Sequence, residues 1–282
     1  MTLLTPPRPA ATAAFKLFRV EVRDVRRLGR HLTRITFGGP DLARMACGGL
    51  DQRIKVIFPL PGQELVLPED DRPYLALRNL PAEIRPHFRS YTVRAHRPEL
   101  CEFDIDFVLH GDTGPGSSFA LHARVGDCLA VYAPNAEHPH GARFAGVEYR
   151  METLRERTLI VGDETALPAI GSILESLPTG VCADVYIEVP DSRDAQPLVT
   201  AADASVYWLP RSGSERPGSL LAEAVRDARL SCESYCWLAG ECGMVTAIRR
   251  HLINDRDFER DAITFMGYWR NGQSEDLRVA AG

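Results

Sequence analysis

Apolar and polar positions run along the chain in two different rhythms, and the change falls within residues 138–157. Ahead of it, "FKLFRVEVRDVRRLGRHLTRITFGG" carries two alternating stretches, 15–22 and 31–37, joined by a polar turn. "RIKVIFPL", "SYTVRAH", "EFDIDFVLH" and "DCLAVYAP" repeat the alternation, each bounded by Pro, Gly or charged residues. Successive side chains on a strand point to opposite faces. The pattern therefore predicts antiparallel strands with one buried face, closed as a barrel or stacked as a sandwich. A short helix over "GSSFALHARV" interrupts them, and Gly126-Asp127 starts the next strand.

Beyond the change, "TLIVGDETALPAIGSILESL" reads as strand, polar turn and helix. "CADVYIEVP" and "SVYWLPR" are further strands, and "SLLAEAVRDARL" has apolar residues at helical spacing. "SYCWLAGE" is a strand running into the helix "GMVTAIRRHLI", and "AITFMGYWR" is a last strand. Strands alternating with helices imply a parallel sheet with helices on its faces. The expected layout is a two-domain β plus α/β protein: a flexible leader over 1–14, an antiparallel β-barrel over 15–147 and an α/β domain over 148–282. The leader, short of apolar residues and broken by prolines, does not read as a signal peptide.

Composition narrows the class. The 282 residues are 45% hydrophobic and 25% charged, which suits a soluble globular chain with a substantial core. A formal charge of −5 argues against a general nucleic-acid binder but leaves room for a local basic pocket. No apolar run is long enough for a membrane-spanning helix. The seven cysteines are odd in number and scattered, and the Cys232/Cys236 pair with Cys242 matches no zinc or iron–sulfur spacing. They read as buried structural thiols in a reducing compartment, which fits the cytoplasm. A monomer without membrane or nucleic-acid partner is expected. His138 and His140 lack a nearby third ligand, and no protein-bound metal is expected.

Two segments carry candidate chemistry. "HGDTGPGSSFA", residues 110–120, lacks both the Lys-Ser/Thr ending of a P-loop and a GxGxxG fingerprint. It is either a nest of N–H groups suited to a pyrophosphate or an ordinary glycine-rich connection. "RSYTVR" offers the guanidinium fork of Arg89, the aromatic face of Tyr91 and the hydroxyl of Thr92. Strand alternation sets Arg89 and Tyr91 on one face and Thr92 on the other.

Together these segments resemble the FAD site of the ferredoxin–NADP reductase superfamily. "RSYTVR", "DIDFVLHGDTGPGSSFA", "VGDETALPAI", "WLAGE" and "GYWRNG" stand in the order found in the siderophore-interacting protein family of ferric-siderophore reductases, a resemblance spanning residues 15–272. It implies an FAD-binding barrel, an NAD(P)H-binding α/β domain, and an oxidoreductase passing electrons from NAD(P)H through flavin to chelated Fe(III). By this resemblance Arg89, Tyr91, Thr92 and Val93 hold the flavin edge and its phosphate, and His110, Asp112, Thr113, Gly114, Pro115, Gly116 and Ser117 line the rest. Gly116 and Phe119 stand where the family more often shows Ala and Trp. Gly162, Glu164, Thr165 and Ala166 would face the nicotinamide nucleotide, with Gly240 and Glu241 at the same edge of the sheet. Thr165 alternatively caps its helix, and Arg211 either receives a 2′-phosphate or is simply solvated.

The resemblance also implies basic residues for a ferric siderophore, many of which are anionic: Lys55, Arg249 and Arg250. Lys55 is one of only two lysines, the other being Lys16. A third basic position of the family reads Asn135-Ala136-Glu137 here. Tyr268 and Trp269 either border the flavin or pack in the core. Two rival readings stand beside the reductase: an NAD(P)H-dependent flavoprotein with a non-siderophore acceptor, and a siderophore-binding protein without turnover. NADPH, NADH and ferredoxin all remain open as donor.

Overall fold

In the computed structural model, which describes residues 12–70, 72–141 and 146–273, the first rhythm becomes a seven-stranded antiparallel sheet. Its strands are β1 (Phe15–Arg27), β2 (Leu32–Gly38), β3 (Arg53–Phe58), β4 (His87–Thr92), β5 (Ala95–Arg97), β6 (Glu102–Val108) and β7 (Cys128–Pro134), in the order β4-β3-β7-β1-β2-β6-β5. The inward positions, among them Phe18, Ile35, Phe37, Val56, Phe103, Phe107 and Val131, form one buried core. The single strand expected over "SYTVRAH" is two. The backbone bends at Val93 and Arg94, where the Val93 N–H donates to Gln52 O beside β3 and the Arg94 N–H to Asp104 O on β6. One segment thus changes partners and closes the barrel at a corner.

Two helices interrupt the strands. Helix α2 (Pro115–His122) stands where the sequence places it. Helix α1 (Pro73–Arg78) was not anticipated, because six residues are too few to show a helical period. Around it, Leu65, Leu67, Leu77 and Leu80 cover Ile57 and Ala130 on the outer face of the sheet.

The second rhythm becomes a parallel sheet of β8 (Arg157–Gly162), β9 (Cys182–Val189), β10 (Asp203–Pro210), β11 (Tyr235–Glu241) and β12 (Ile263–Trp269), in the order β10-β9-β8-β11-β12. Helix α3 (Leu167–Ser176) packs on one face; α4 (Ser219–Asp227) and α5 (Cys242–Asp255) pack on the other. Strand order reverses between β8 and β11. That switch point opens a crevice at their carboxyl ends, where open α/β sheets bind ligands.

Long-range polar contacts tie the barrel to the sheet. Asp51, buried just before β3, accepts from the backbone N–H of Glu148 (3.0 Å) and Tyr149 (3.0 Å) in the connecting segment and from Trp237 Nε1 on β11 (2.9 Å). His31 meets Asp194 through its N–H (2.6 Å) and its ring (2.7 Å), while Arg30 pairs with Asp191 (3.0 Å). Arg94 holds Glu175 on α3 (3.0 Å). A buried carboxylate with several donors resists displacement, because removing it strands every donor.

Most of the expected leader lies outside the described residues; the carbonyls of Ala13 and Ala14 accept from Asn135. None of the seven cysteines is in a disulfide; only Cys236 is buried, and Cys128 and Cys232 are exposed, which corrects the reading of buried structural thiols. Among the described residues no helix is long and apolar enough to cross a membrane, and no cluster of metal-ligating side chains forms.

Candidate functional site

A cleft of about 690 Å³ lies between the two domains. Arg53, Ser90, Asp106 and Val108 form its barrel wall with Arg89, Tyr91, Thr92, His110, Thr113, Gly114, Pro115, Gly116 and Ser117. The opposite wall is made by Glu164, Thr165, Pro168, Gly267, Tyr268, Trp269, Arg270, Gly272 and Gln273.

On the barrel wall, β4 pairs with β3 so that Arg89 lies across from Val56 and Tyr91 from Ile54, while Ser90 and Thr92 share the other face with Lys55 and Arg53. Alternation along β4 was therefore read correctly. The Tyr91 ring packs against Phe107 at 4.5 Å and Phe58 at 6.3 Å. Val93 is buried at the barrel corner and does not line the cleft. After β6 the 110–117 turn is stapled from within. Ser117 Oγ accepts from the His110 N–H (3.1 Å) and donates to Gly111 O (2.6 Å), and the His110 ring meets Thr113 Oγ1 at 3.0 Å. Asp112 is exposed, 3.9 Å from His122, and is not among the residues lining the cleft.

No side chain caps the start of α2: its N-cap is Gly114, followed by Pro115. The helix therefore presents N–H groups and the positive end of its dipole to the cleft, an arrangement that favours a phosphate. At Gly116 a Cβ would fall 1.8 Å from the Tyr91 hydroxyl, so only glycine lets that hydroxyl lie over the helix start. Phe119, the other departure from the family pattern, belongs to the same aromatic cluster, stacked on Phe37 and tilted against Phe58 and Phe107.

The opposite wall is organised around Asp163, which sequence reasoning passed over. Fully buried, its carboxylate accepts from the Glu241 N–H (2.7 Å), Trp269 Nε1 (2.8 Å), the Thr165 N–H (2.9 Å) and the Thr165 hydroxyl. It thereby joins the ends of β8, β11 and β12. Burial, reinforced by the neighbouring Glu164 carboxylate, raises its pKa above the ordinary carboxyl value, and the hydrogen bonds from Thr165 and Trp269 oppose that rise. Thr165 is not the cap of α3; that position is Ala166, which is buried, and the Thr165 hydroxyl serves Asp163. Gly162 lies under Ala166 at the end of β8, and Gly240 lies against the Asp163 carboxylate; neither lines the cleft. Glu241 is the N-cap of α5, accepting from the N–H groups of Met244 (2.9 Å) and Asn271 (3.2 Å).

Glu164 reaches the cleft but is held by Arg211 at 2.7 Å, and Arg211 also meets Glu188 at 2.6 Å. Arg211 is neither solvated nor free. These partners hold its guanidinium above its ordinary pKa despite burial.

The expected substrate residues separate. Lys55 lies on the face of β3 opposite Val56 and does not line the cleft. Arg249, half-buried, lies 4.3 Å over the exposed Phe265 ring and does not line the cleft. Arg250 lines a second pocket of about 360 Å³ with Glu241, Cys242 and Arg270, and Arg270 lines the cleft as well. The cations of the cleft itself are Arg53, Arg89 and Arg270, two of which the sequence reading did not select. Arg53 is held by Glu148 at 3.0 Å and lies 6.0 Å from the Tyr268 ring. Tyr268 and Trp269 both border the cleft; burial raises the Tyr268 hydroxyl's pKa. Asn135 is buried and spent on backbone contacts.

Comparisons with known proteins fit this division. A family model described as the siderophore-interacting FAD-binding domain matches residues 21–138, and one described as siderophore-interacting protein matches residues 155–272. The ferric vibriobactin reductase ViuB of Vibrio cholerae is 30% identical over 255 residues, 88% of each chain. The crystal structure of the siderophore-interacting protein SipS from Aeromonas hydrophila superposes with a TM-score of 0.77 at 32% identity, covering 95% of this chain and 97% of that one. A ferredoxin reductase of carbazole 1,9a-dioxygenase shares the fold, with a TM-score of 0.62 at 16% identity over 90% of this chain and 70% of its own. FAD is the cofactor of the first domain. The uncapped α2, the space over Gly114 and the donors of Arg89 fit its pyrophosphate.

Proposed function

The chain belongs to the siderophore-interacting protein family, and from that premise we propose that it is an FAD-dependent ferric-siderophore reductase drawing electrons from NAD(P)H. One observation carries the reading: the anion-ready wall of the barrel faces the switch point of the parallel sheet across a single cleft.

When bound, FAD supplies the link between a two-electron nucleotide donor and a one-electron ferric acceptor. The protein's part is to hold and to exclude. Arg89 and the first N–H groups of α2 would hold the pyrophosphate and Tyr91 and Thr92 would hold the flavin, with the stapled 110–117 turn fixing the spacing of these groups. Asp163 holds Trp269 and the end of β11 in place, so the nucleotide's side of the cleft keeps its shape. Arg270 and Arg53 attract an anionic ferric chelate, and Arg250 extends that field into the adjoining pocket. Lys55 and Arg249, outside the cleft, act on the chelate only at longer range. Reduction weakens binding of the metal by hard oxygen ligands, so iron leaves while the chelator stays intact.

The test is anaerobic. NAD(P)H should bleach the FAD-loaded protein, and ferric hydroxamate, catecholate or carboxylate chelates should restore the colour. Arg270→Ala should slow reoxidation by anionic chelates about tenfold while sparing a neutral quinone. Should no ferric chelate reoxidise the flavin faster than the quinone does, a non-siderophore acceptor replaces this reading. A flavin that no nucleotide reduces leaves a ferredoxin as donor, or binding without turnover.

A further inference from the structure

The nucleotide edge of the sheet ends at β9 and β10, and there the chain shows an unusual commitment. In open α/β sheets an acidic group at a strand end bonds the ribose 2′-hydroxyl, or a nearby arginine receives a 2′-phosphate. Both residue types are present, Glu188 at the end of β9 and Arg211 just after β10, and they hold each other. Arg211 Nη1 donates to Glu188 Oε1 at 2.6 Å, and its two terminal nitrogens donate to Glu164 at 3.1 and 2.7 Å. Its side chain is 11% exposed, and that of Glu188 is fully buried.

The second anion receptor of this edge is taken too. The N-terminus of α4 would offer N–H groups to a phosphate, but Glu188 already accepts from Gly218 (2.7 Å), Leu220 (3.1 Å) and Leu221 (3.4 Å). Glu188 is therefore an internal anion in the place where guanidinium and helix amides converge. In the loop between, Glu215 is held by the Ser212 N–H (2.8 Å) and hydroxyl (2.6 Å), and Arg216 follows it. At the strand ends two carboxylates, Glu164 and Glu188, thus stand against the one guanidinium of Arg211.

From this geometry we infer that the chain selects NADH over NADPH, with Glu188 as the positioning residue that sets the choice by occupying both Arg211 and the α4 amides. A 2′-phosphate would bring further negative charge to an edge already in carboxylate excess, and would find its two receptors satisfied. Like charges set together in this way disfavour binding strongly. A ribose 2′-hydroxyl carries no such charge. The inference rests on the reading of this domain as the nucleotide-binding one.

The experiment uses the FAD-loaded protein and measures kcat/KM for flavin reduction by NADH and NADPH, together with the affinities of 5′-ADP and 2′,5′-ADP by calorimetry. NADH and 5′-ADP should be favoured about tenfold or more. Glu164→Gln, which loosens one side of Arg211 while leaving the α4 cap in place, should narrow the ratio severalfold. Glu188→Gln should narrow it further, provided circular dichroism shows the variant folded. Equal or preferred use of NADPH overturns the inference and leaves the donor reading intact. A ratio unmoved by Glu164→Gln removes this carboxylate–arginine group as the cause. Failure of both nucleotides to bind or reduce overturns the inference and the donor reading together.

Discussion

The two walls of the cleft solve opposite problems. The barrel wall offers donors at one place above all, the uncapped helix start at Gly114. The carboxylates behind the α/β wall are internally satisfied: Asp163 takes four donors, Glu188 caps α4 and grips Arg211, and Glu241 caps α5. A wall with donors to spare gains stability from an anionic cofactor, whereas a satisfied wall gains none and can release what it binds. The contrast suits a resident group on one side and a passing nucleotide on the other.

The contrast has meaning only while the walls stay opposed, and Asp51 is what opposes them. Asp51→Ala should cost about 3 kcal/mol or more, because it strands the buried indole N–H of Trp237 and two backbone N–H groups. Chemical denaturation would measure the loss. An unchanged midpoint would mean that the domains are held chiefly elsewhere. A smaller effect is confined to one wall. Gly116→Ala should cost about 1–3 kcal/mol by pushing on the Tyr91 hydroxyl, and Tyr91→Phe in the same chain should restore much of it. Additive losses in the double variant would show that the two side chains do not meet.

The smallest effect is in pH. Burial lowers the pKa of His96 on β5, so the stability tied to its neutral form is present above 6.5 and is lost as pH falls through the folded-state value. Asp163 has the opposite sign. Its raised pKa makes its contribution largest at pH below the ordinary 3.8, and that contribution fades as pH rises through the raised value. Acidification should therefore weaken the barrel and favour the latch on the other wall. Melting curves of His96→Phe should flatten below pH 6.5, and superposition on the parent curve would remove His96 from the account.

What could be read from the sequence was what is local. Period-two stretches located five of the seven barrel strands as single elements and ran β4 and β5 together, and the strand–turn–helix order marked the switch point where the Gly162 and Gly240 segments meet. The corner at Val93 and Arg94 was missed because a strand that changes partners keeps its alternation. Asp51 and Trp237 are 186 residues apart, and Asp163 and Trp269 are 106 apart. No periodicity spans such gaps, so the polar groups that hold the site together left no local trace. Arg211 looked available for the same reason, since its partners Glu164 and Glu188 belong to other strands. Lys55 was singled out for rarity, yet it leaves from the same face of β3 as Arg53 without lining the cleft, and rarity says nothing about position along a strand.

The hydrogen bond from Trp237 to Asp51 has an optical consequence. The chain has three tryptophans, and each reports on a different place: Trp237 on the junction between domains, Trp269 on the Asp163 latch beside the cleft, and Trp208 on the edge strand β10. A buried, hydrogen-bonded indole emits at shorter wavelength than a hydrated one. The protein therefore carries its own dyes, and replacing two of them by Phe would let the third be watched alone as the domains part, the latch opens or the sheet edge melts.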